Sequence, residues 1–409
     1  MNITNLKKFA KLIVKRGVNV QENQVVYISA SVEAAPLVEH VVEECYKAQA
    51  KVVKVDWSYQ PVSRLNAIYR SFESLTEMPE YVEAEMKYKS EVLPAMIHIM
   101  SDDPAGMVGI DHAKMAKVNQ KLYPIIRKYR EPMESKYQWT IVGYPGVKWA
   151  KKVFPNETPK NAVKKLEKAI LDVTRVSEKD PILAWDLHNE KIHSKCQILN
   201  DLNFDYLVFK SENGTNLKIH LANNHVWCGG SDKLVHNGVQ YNPNMPSEEV
   251  FTMPHRNKVD GIVYSTKPLS YQGQLIEDFS IEFKDGKAIN CSAKKGEELL
   301  KQMISMDEGA AYLGEVALVE VTSPINLSNI LFYNTLYDEN ASCHLALGRA
   351  YNDNMKDFDK LSPEELKNNG KNDSMIHVDF MIGHDTTSIV GYTFDGKEVQ
   401  VFENGKFVI

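Results

Sequence analysis

Three segments of the chain place carboxylate and imidazole side chains among apolar residues. Glu315 lies within LGEVALV, and His344 lies within ASCHLALG. Burying either group costs free energy unless a partner satisfies it, and a divalent metal ion is one such partner. In MIHVDFMIG, His377 and Asp379 are two residues apart, so they point to the same face of a strand. These segments predict a site that binds metal through carboxylate oxygens and imidazole nitrogens.

Two further positions suit the same chemistry. NPNMPSEEVFTMP contains Glu248 and Glu249, and because adjacent strand residues point to opposite faces, we expect only one of them to be a ligand. Tyr351 follows His344 by seven residues, which would place both on one face of a helix predicted over 340–350. Two imidazoles with two or three carboxylates are typical of zinc, cobalt or manganese sites. Five ligands exceed the need of one catalytic ion, which indicates two ions roughly 3.5–4 Å apart.

Each residue also has a purely structural interpretation that the spacing leaves open. His344 could be a hydrogen-bonded core histidine. Glu248 and Glu249 could cap the turn that precedes them, and His377 with Asp379 could form an ion pair on a strand surface. No HExxH helix is present, which excludes the zinc proteases that use that motif.

The composition is that of an ordinary globular protein large enough for two domains. The chain has 409 residues, of which 43% are hydrophobic and 25% charged, and its net charge is -6, so no basic domain indicates nucleic-acid binding. No apolar run approaches the ~18 residues of a membrane span, and the N-terminus predicts an amphipathic helix instead of a signal peptide. The five cysteines are scattered without a CxxC pair, as is typical of proteins whose thiols stay reduced. We therefore expect a cytoplasmic protein with no nucleic-acid or membrane partner.

The first half of the chain alternates strand and helix patterns. Strands are predicted over 25–30, 51–57, 95–103 and 139–146, and helices over 6–15, 33–50, 61–90, 112–130 and twice within 158–200. This alternation predicts a mostly parallel sheet. The first strand is not followed by a GxGxxG motif, so the sequence gives no support for a dinucleotide-binding site. The polar turn Ser101 to Asp103 lies where α/β sheets contact ligands, but helix capping is the favoured interpretation. His188 and His193 are interpreted as surface or packing residues.

Alternating strands replace helices near residue 200. Asn213-Gly214 between two alternating runs predicts a hairpin, and further turns are predicted at Asp285-Gly286 and Asn404-Gly405. We predict an α/β N-terminal domain with a mostly parallel sheet over 1–195. An α+β, mainly antiparallel β domain over 196–409 would carry the metal site, with helices near 295–306, 340–350 and 362–368.

At these motifs the sequence resembles the M29 family of metallo-aminopeptidases, the thermophilic aminopeptidase family. The resemblance covers essentially the whole chain and rests on four segments in order, NPNMPSEEVFTMP, LGEVALV, FYNTLYDENASCHLALGRAY and HVDFMIG. It implies an α/β N-terminal domain, a β-rich domain with the site, and two divalent metal ions, with zinc, cobalt, manganese or magnesium as candidates. It also implies a homodimer that releases single N-terminal residues from peptide substrates.

The resemblance assigns roles residue by residue. It implies that the metal ligands are Glu249, Glu315, His344, His377 and Asp379. Glu315 matches the carboxylate that bridges the metals, and Tyr351 matches a tyrosine close to them. The sequence departs from the family after HVDFMIG, where a small turn is replaced by His384-Asp385-Thr386-Thr387. We interpret His384 as a pocket residue that affects substrate preference.

The predicted reaction is metal-assisted hydrolysis of an amide bond. Glu315, or else Glu248, would take the proton of the attacking water, and Tyr351 would donate a hydrogen bond to the developing oxyanion. Two other classes stay open: a dinuclear phosphoesterase, for which the site segments supply only Arg349 to bind phosphate, and a non-catalytic peptide-binding protein of the same fold. The preferred N-terminal residue, the physiological metal and the dimer interface are also open.

Overall fold

A computed structural model describes residues 1–409, and its internal contacts divide the chain into two units. Unit 1 consists of Met1–Leu187 with Ser231–Pro246, and unit 2 consists of His188–Gly230 with Ser247–Ile409. This division differs from the predicted boundary after residue 195 in two places. That boundary falls inside the continuous helix Pro181–Leu202, and residues 231–246 belong to unit 1, where their short strand Asn244–Met245 joins the parallel sheet.

The regular elements are numbered along the chain. The strands are β1 Val25–Ser31, β2 Val52–Ser58, β3 Ala95–Met100, β4 Trp139–Gly143, β5 Phe204–Lys210, β6 Asn216–Leu221, β7 Asp232–Lys233, β8 Gln240–Tyr241, β9 Asn244–Met245, β10 Val250–Thr252, β11 Pro254–Tyr264, β12 Leu269–Tyr271, β13 Gln274–Lys284, β14 Lys287–Lys295, β15 Leu313–Leu318, β16 His344–Gly348, β17 His377–Met381, β18 Ser388–Thr393, β19 Glu398–Glu403 and β20 Lys406–Phe407. The α-helices are α1 Ile3–Leu12, α2 Ala35–Lys47, α3 Gln60–Tyr69, α4 Phe72–Thr76, α5 Glu80–Val92, α6 His112–Arg130, α7 Val147–Val153, α8 Pro159–Val173, α9 Pro181–Leu202, α10 Glu297–Ile304, α11 Pro324–Leu327, α12 Thr335–Asp338 and α13 Pro363–Asn368. None of these helices combines the length and the apolar character needed to cross a membrane.

Unit 1 contains the predicted parallel sheet. Its strand order is β2-β1-β3-β4-β9, and each neighbouring pair is parallel. β1 is buried along most of its length, as is typical of strands covered on both faces. Phe9 of α1 and Val41 of α2 are fully buried in the core of this unit. The alternation of strand and helix patterns therefore predicted this architecture correctly.

Unit 2 is built on antiparallel sheets. Four strands have the order β10-β15-β16-β17, and a nine-stranded sheet has the order β12-β13-β11-β6-β5-β18-β19-β20 with β14 on β13. The predicted hairpin at Asn213-Gly214 is confirmed. The strands β5 and β6 on either side of this turn form an antiparallel pair that begins with Lys210 opposite Asn216. Gly214 has a φ of 100°, a conformation that glycine adopts without a steric penalty.

Two local predictions are wrong. Residues 340–350 do not form a helix, because His344–Gly348 is the buried strand β16 between β15 and β17. A short apolar run has the same composition in a buried helix and in a central strand, so periodicity alone does not distinguish them. Ser101 to Asp103 do not cap a helix either. The N-cap of α6 is Asp111, and the Asp103 carboxylate accepts the N–H of Ala105 in a turn.

Candidate metal centre

The register of three antiparallel strands brings Glu315 and Asp379 onto one face of the four-stranded sheet. Ala346 of β16 lies opposite Glu315 of β15 and also opposite Asp379 of β17. Residues directly opposite each other across strands point to the same side. The methyl group of Ala346 is the only side chain between the two carboxylates in this row, so it leaves space between them.

The two histidines lie on the same face. His344 is two residues before Ala346 on β16, and His377 of β17 is paired with Gly348, two residues after it. Strand residues two apart share a face, so His344, Ala346 and Gly348 alternate with the buried core residues. Neither Ala346 nor Gly348 fills the area between the imidazoles. Polar side chains therefore meet at the centre of this face of the sheet.

A β-bulge sets the direction of Glu315. The pairing of β15 with β16 shifts register between Leu313 and Glu315, at Gly314. A Cβ on Gly314 would lie 2.4 Å from the carbonyl oxygens of Gly348 and Arg349, so only glycine permits this close approach. Bulges redirect side chains and are common next to functional sites. Here the bulge lets the next residue, Glu315, join the row described above.

The polar side chains on this face form two clusters that share Glu315. One contains Glu249, Glu315 and His344, and the other contains Glu315, His377 and Asp379, with one ligand atom from each residue within 4.8 Å of the others. Oε1 of Glu315 lies 3.5 Å from Nε2 of His344, and its Oε2 lies 3.5 Å from Nε2 of His377. Nε2 of His344 is 3.0 Å from Glu249, and Nε2 of His377 is 3.3 Å from Asp379. Each oxygen of Glu315 thus faces a different cluster.

Backbone carbonyls fix the tautomer of both imidazoles. Nδ1 of His344 donates to the carbonyl of Ser342 at 3.2 Å, and Nδ1 of His377 donates to the carbonyl of Arg349 at 2.7 Å. In the neutral rings, Nε2 therefore carries a lone pair that points at carboxylate oxygens. Metal-binding histidines typically have this arrangement, in which the other nitrogen donates to a carbonyl or carboxylate.

The buried nitrogen of His344 fits a metal ion better than a hydrogen bond. Its Nε2 is buried and makes no hydrogen bond of acceptable geometry, although Glu249 is only 3.0 Å away. A buried polar atom without a partner is rare and costs free energy. A cation between the imidazole and the carboxylates would satisfy both. The nitrogen and oxygen donor set, with no thiolate among these residues, suits a catalytic divalent ion.

Protonation has to compensate for charge at this site when no metal is bound. Burial raises the pKa of Glu315 to about 7. Burial acts to lower the pKa of both histidines, but the neighbouring carboxylates outweigh it, so the pKa of His344 lies well above its ordinary value and that of His377 is about 9. Metal ligands must lose these protons before they bind an ion. Protons and a metal ion would therefore compete for these side chains.

Two other residues predicted at the site, Tyr351 and Glu248, have different surroundings. The ring of Tyr351 is 4.7 Å from that of His377, and burial together with the charges of Glu315 and Asp379 raises the pKa of its phenol well above 10. Glu248 belongs to neither cluster, and its Oε2 lies 3.9 Å from Nε2 of His188.

The extra histidine after β17 is also outside both clusters. Nδ1 of His384 lies 2.6 Å from Asp385 and 2.9 Å from the hydroxyl of Thr386. His188, interpreted from sequence as a surface or packing residue, is buried and donates from Nε2 to the carbonyl of Ser247 at 2.6 Å. It therefore holds the segment that leads to Glu249.

Sequence reasoning missed two residues next to the clusters. Glu339 is buried, and burial raises the pKa of its carboxyl well above the ordinary value, with the charges of Asp379 and Glu249 adding to the effect. Asn340 is completely buried, and its Oδ1 accepts the backbone N–H of Glu248 at 2.6 Å. Its Nδ2 donates to the carbonyl of Leu336 at 3.0 Å. The triplet Asp-Glu-Asn is typical of an exposed turn, so composition gave no signal for these residues.

Asn340 positions the segment that carries Glu249, and replacing it tests this role. We expect Asn340→Ala to weaken metal binding roughly 10- to 100-fold, because partners behind metal ligands typically contribute that much. Metal affinity is measured by competition with a chelating dye at a temperature where the variant is folded. Asn242→Ala is the matched control, because Asn242 of unit 1 is also buried and donates to a backbone carbonyl. Equal losses in both variants would contradict a specific role.

The fold and this face of the sheet are those of a candidate metalloenzyme, in which carboxylates and imidazoles on an antiparallel sheet would be the ligands. Comparison with known proteins agrees with this class. A family model described as thermophilic metalloprotease (M29) matches residues 2–407. The chain belongs to this family.

Relatives and a solved structure match along the whole chain. Aminopeptidase AmpS of Bacillus subtilis (strain 168) is 42% identical over 98% of both chains. Aminopeptidase 2 of Geobacillus stearothermophilus is 40% identical over 98% of this chain and 97% of its own. The structure of wild-type AmpT from Thermus thermophilus superposes with a TM-score of 0.90 at 34% identity, over 99% of both chains. These findings support a metallo-aminopeptidase.

Proposed function

We propose that this protein releases single N-terminal residues from peptides at a site for two divalent metal ions. The observation that carries the proposal is the position of Glu315, whose two carboxylate oxygens face two different clusters. The proposed ligands are Glu249, Glu315 and His344 for one ion, and Glu315, His377 and Asp379 for the other. Zinc, cobalt, manganese and magnesium are the candidates. Glu339 is a further candidate, because its buried carboxyl faces the same charges.

The charge at the site supports two ions over one. Glu249, Glu315, Glu339 and Asp379 are all buried. Their four negative charges, when ionised, equal the positive charge of two divalent cations. The two histidines bind metals as neutral rings, so they add no charge. One divalent ion would leave buried carboxylates uncompensated, which costs free energy.

The chain's own residues can manage the proton and the oxyanion. Bound divalent ions of this kind lower the pKa of water and polarise a carbonyl. Glu315 lies in both clusters and is better placed than Glu248 to take the proton of the attacking water and pass it to the leaving amine. The raised pKa of Tyr351 keeps its phenol protonated, so it can donate a hydrogen bond to the developing oxyanion.

The residues of the site also bear on the class of substrate. A phosphoesterase needs basic side chains to bind phosphate, and the site segments supply only Arg349. A peptide N-terminus needs no such basic residues. The site thus favours peptide N-termini over the phosphoesterase alternative. We also propose that the protein acts as a homodimer.

Removing the metal tests this function. We expect chelation to abolish hydrolysis of aminoacyl-p-nitroanilides, and cobalt, zinc, manganese or magnesium to restore it, because the ligands alone do not activate water. A panel of aminoacyl groups ranks the preferred N-terminal residue, which His384 would influence. N-acetylated substrates are the control, and we expect no release from them because they lack the charged amine. Release from N-acetylated substrates at an equal rate would contradict an aminopeptidase.

A further inference from the structure

The helix α3 of unit 1 has its apolar side exposed. Val62 and Leu65 are each 51% exposed and Tyr69 is 79% exposed, whereas Ala67 is the only buried residue of the helix. At 100° per residue, Val62, Leu65 and Tyr69 fall within about 60° of one another, and Ala67 lies on the opposite side. A surface helix normally buries its apolar stripe. In α3 that relation is reversed.

Neighbouring residues extend the apolar stripe into a surface, here called the α3 surface. Its residues are Tyr59, Val62, Leu65, Ile68 and Tyr69, and all five are exposed. Together these side chains leave on the order of 500 Å² open, which is within the range of the largest apolar patches on monomeric proteins. Patches of this size mark interaction sites.

We propose that the α3 surface pairs with the α3 surface of a second copy of this chain. The inference rests on the homodimer proposed above and locates its interface. A two-fold interface brings the same patch of both copies together, so the patch must be complementary to itself. A stripe of valine, leucine, isoleucine and tyrosine meets that requirement, whereas a patch of one charge would repel its own copy.

The charged residue of α3 does not oppose the pairing. The guanidinium of Arg64 donates to the carbonyl oxygens of Gly106 and Val108, so it is held on its own chain. The exposed area is also close to what pairing requires, since each partner of a standard interface buries about 800 Å². The α3 surface supplies most of that area from apolar side chains. Another copy of this chain is always available as a partner, so it could keep the apolar α3 surface covered.

Sedimentation of the full-length protein with its metal tests this inference. We expect the wild type to sediment at twice 46.5 kDa and Leu65→Glu to sediment at 46.5 kDa, because two buried glutamates would face each other in the dimer. Leu183→Glu is the matched control, because Leu183 is also on a helix and is 54% exposed. We expect that variant to remain dimeric. Circular dichroism should show the same helix content in all three proteins.

Cross-linking identifies which surfaces meet. We expect Leu65→Cys to form a covalent dimer with a short bis-maleimide, and Leu183→Cys and the wild type not to do so. A wild type that is monomeric refutes the proposed homodimer and this inference with it. A dimer that persists in Leu65→Glu, or a Leu65→Cys dimer without cross-links, overturns only the α3 pairing. Binding of a different protein by monomeric wild type would also overturn it. Hydrolysis by each variant, measured separately, reports on the metal site alone.

Discussion

Glu315→Gln is expected to reduce hydrolysis by at least roughly 10³-fold while the protein remains folded. The amide has one oxygen acceptor and one NH₂ donor, so it cannot present an anionic oxygen to each cluster as the carboxylate does. It has nearly the same volume, so the buried strand β15 can retain its packing. The measurement is kcat/KM on an aminoacyl-p-nitroanilide, together with the metal content of the purified variant and its circular dichroism spectrum.

A nearby glutamate provides the control. Glu320 lies five residues further along, outside both clusters, and pairs with Lys195 at 3.0 Å. We expect Glu320→Gln to keep nearly full activity and two metal ions per chain. A folded Glu315→Gln variant with activity like that of the wild type would contradict the proposed role of Glu315 as shared ligand and proton acceptor. Loss of folding in Glu315→Gln would instead direct the test to metal content in Glu249→Gln, which shares only one cluster.

The second large effect concerns the number of ions. We expect wild-type protein to bind two divalent ions per chain and His377→Ala to bind one, with hydrolysis reduced roughly 10²- to 10⁴-fold. His377 belongs only to the cluster with Glu315 and Asp379, so the other cluster keeps all three of its residues. Metal content is measured by elemental analysis after dialysis against metal-free buffer. His344→Ala should likewise lose only the other ion.

Unit 2 offers a matched control for the His-Asp pair. Nδ1 of His220 lies 3.1 Å from Asp205 in the same unit, at a separation close to that of His377 and Asp379. This pair is outside both clusters and has more exposed side chains. We expect His220→Ala to bind two ions and to keep its activity. A wild type that binds a single ion, or a His377→Ala variant that loses all metal, would contradict two separate ions that share Glu315.

The positions of the individual site residues were predictable to different extents. Period-two spacing correctly predicted that His377 and Asp379 share a face, because both residues lie on one strand. Glu315 was expected to be buried, because a carboxylate within LGEVALV has only apolar neighbours in sequence. His344 was expected on a helix, and only the pairing of β16 with both neighbouring strands distinguishes the two conformations.

Spacing alone did not distinguish Glu248 from Glu249, although the family resemblance implied Glu249 as the ligand. Alternation predicted that only one would point inwards, but the choice depends on how the backbone before β10 is held. Asn340 accepts the N–H of Glu248 from far along the chain, and that contact belongs to the tertiary structure. The sequence analysis missed Glu339 because the triplet of Asp338, Glu339 and Asn340 has the composition of an exposed turn. In the structure all three residues are buried.

By itself, the sequence determined which kinds of ligand group are present, and that an α/β part of the chain is followed by a mainly antiparallel β part. Side-chain types set the ligand chemistry, and local periodicity sets the strands and helices, because both depend on residues that are close along the chain. The tertiary structure alone decided which groups meet. Ala346 faces Glu315 on one side and Asp379 on the other, and residues 231–246 join the sheet of unit 1, because strand register depends on pairing between distant segments. A metal centre assembled from these four segments would therefore depend on that register.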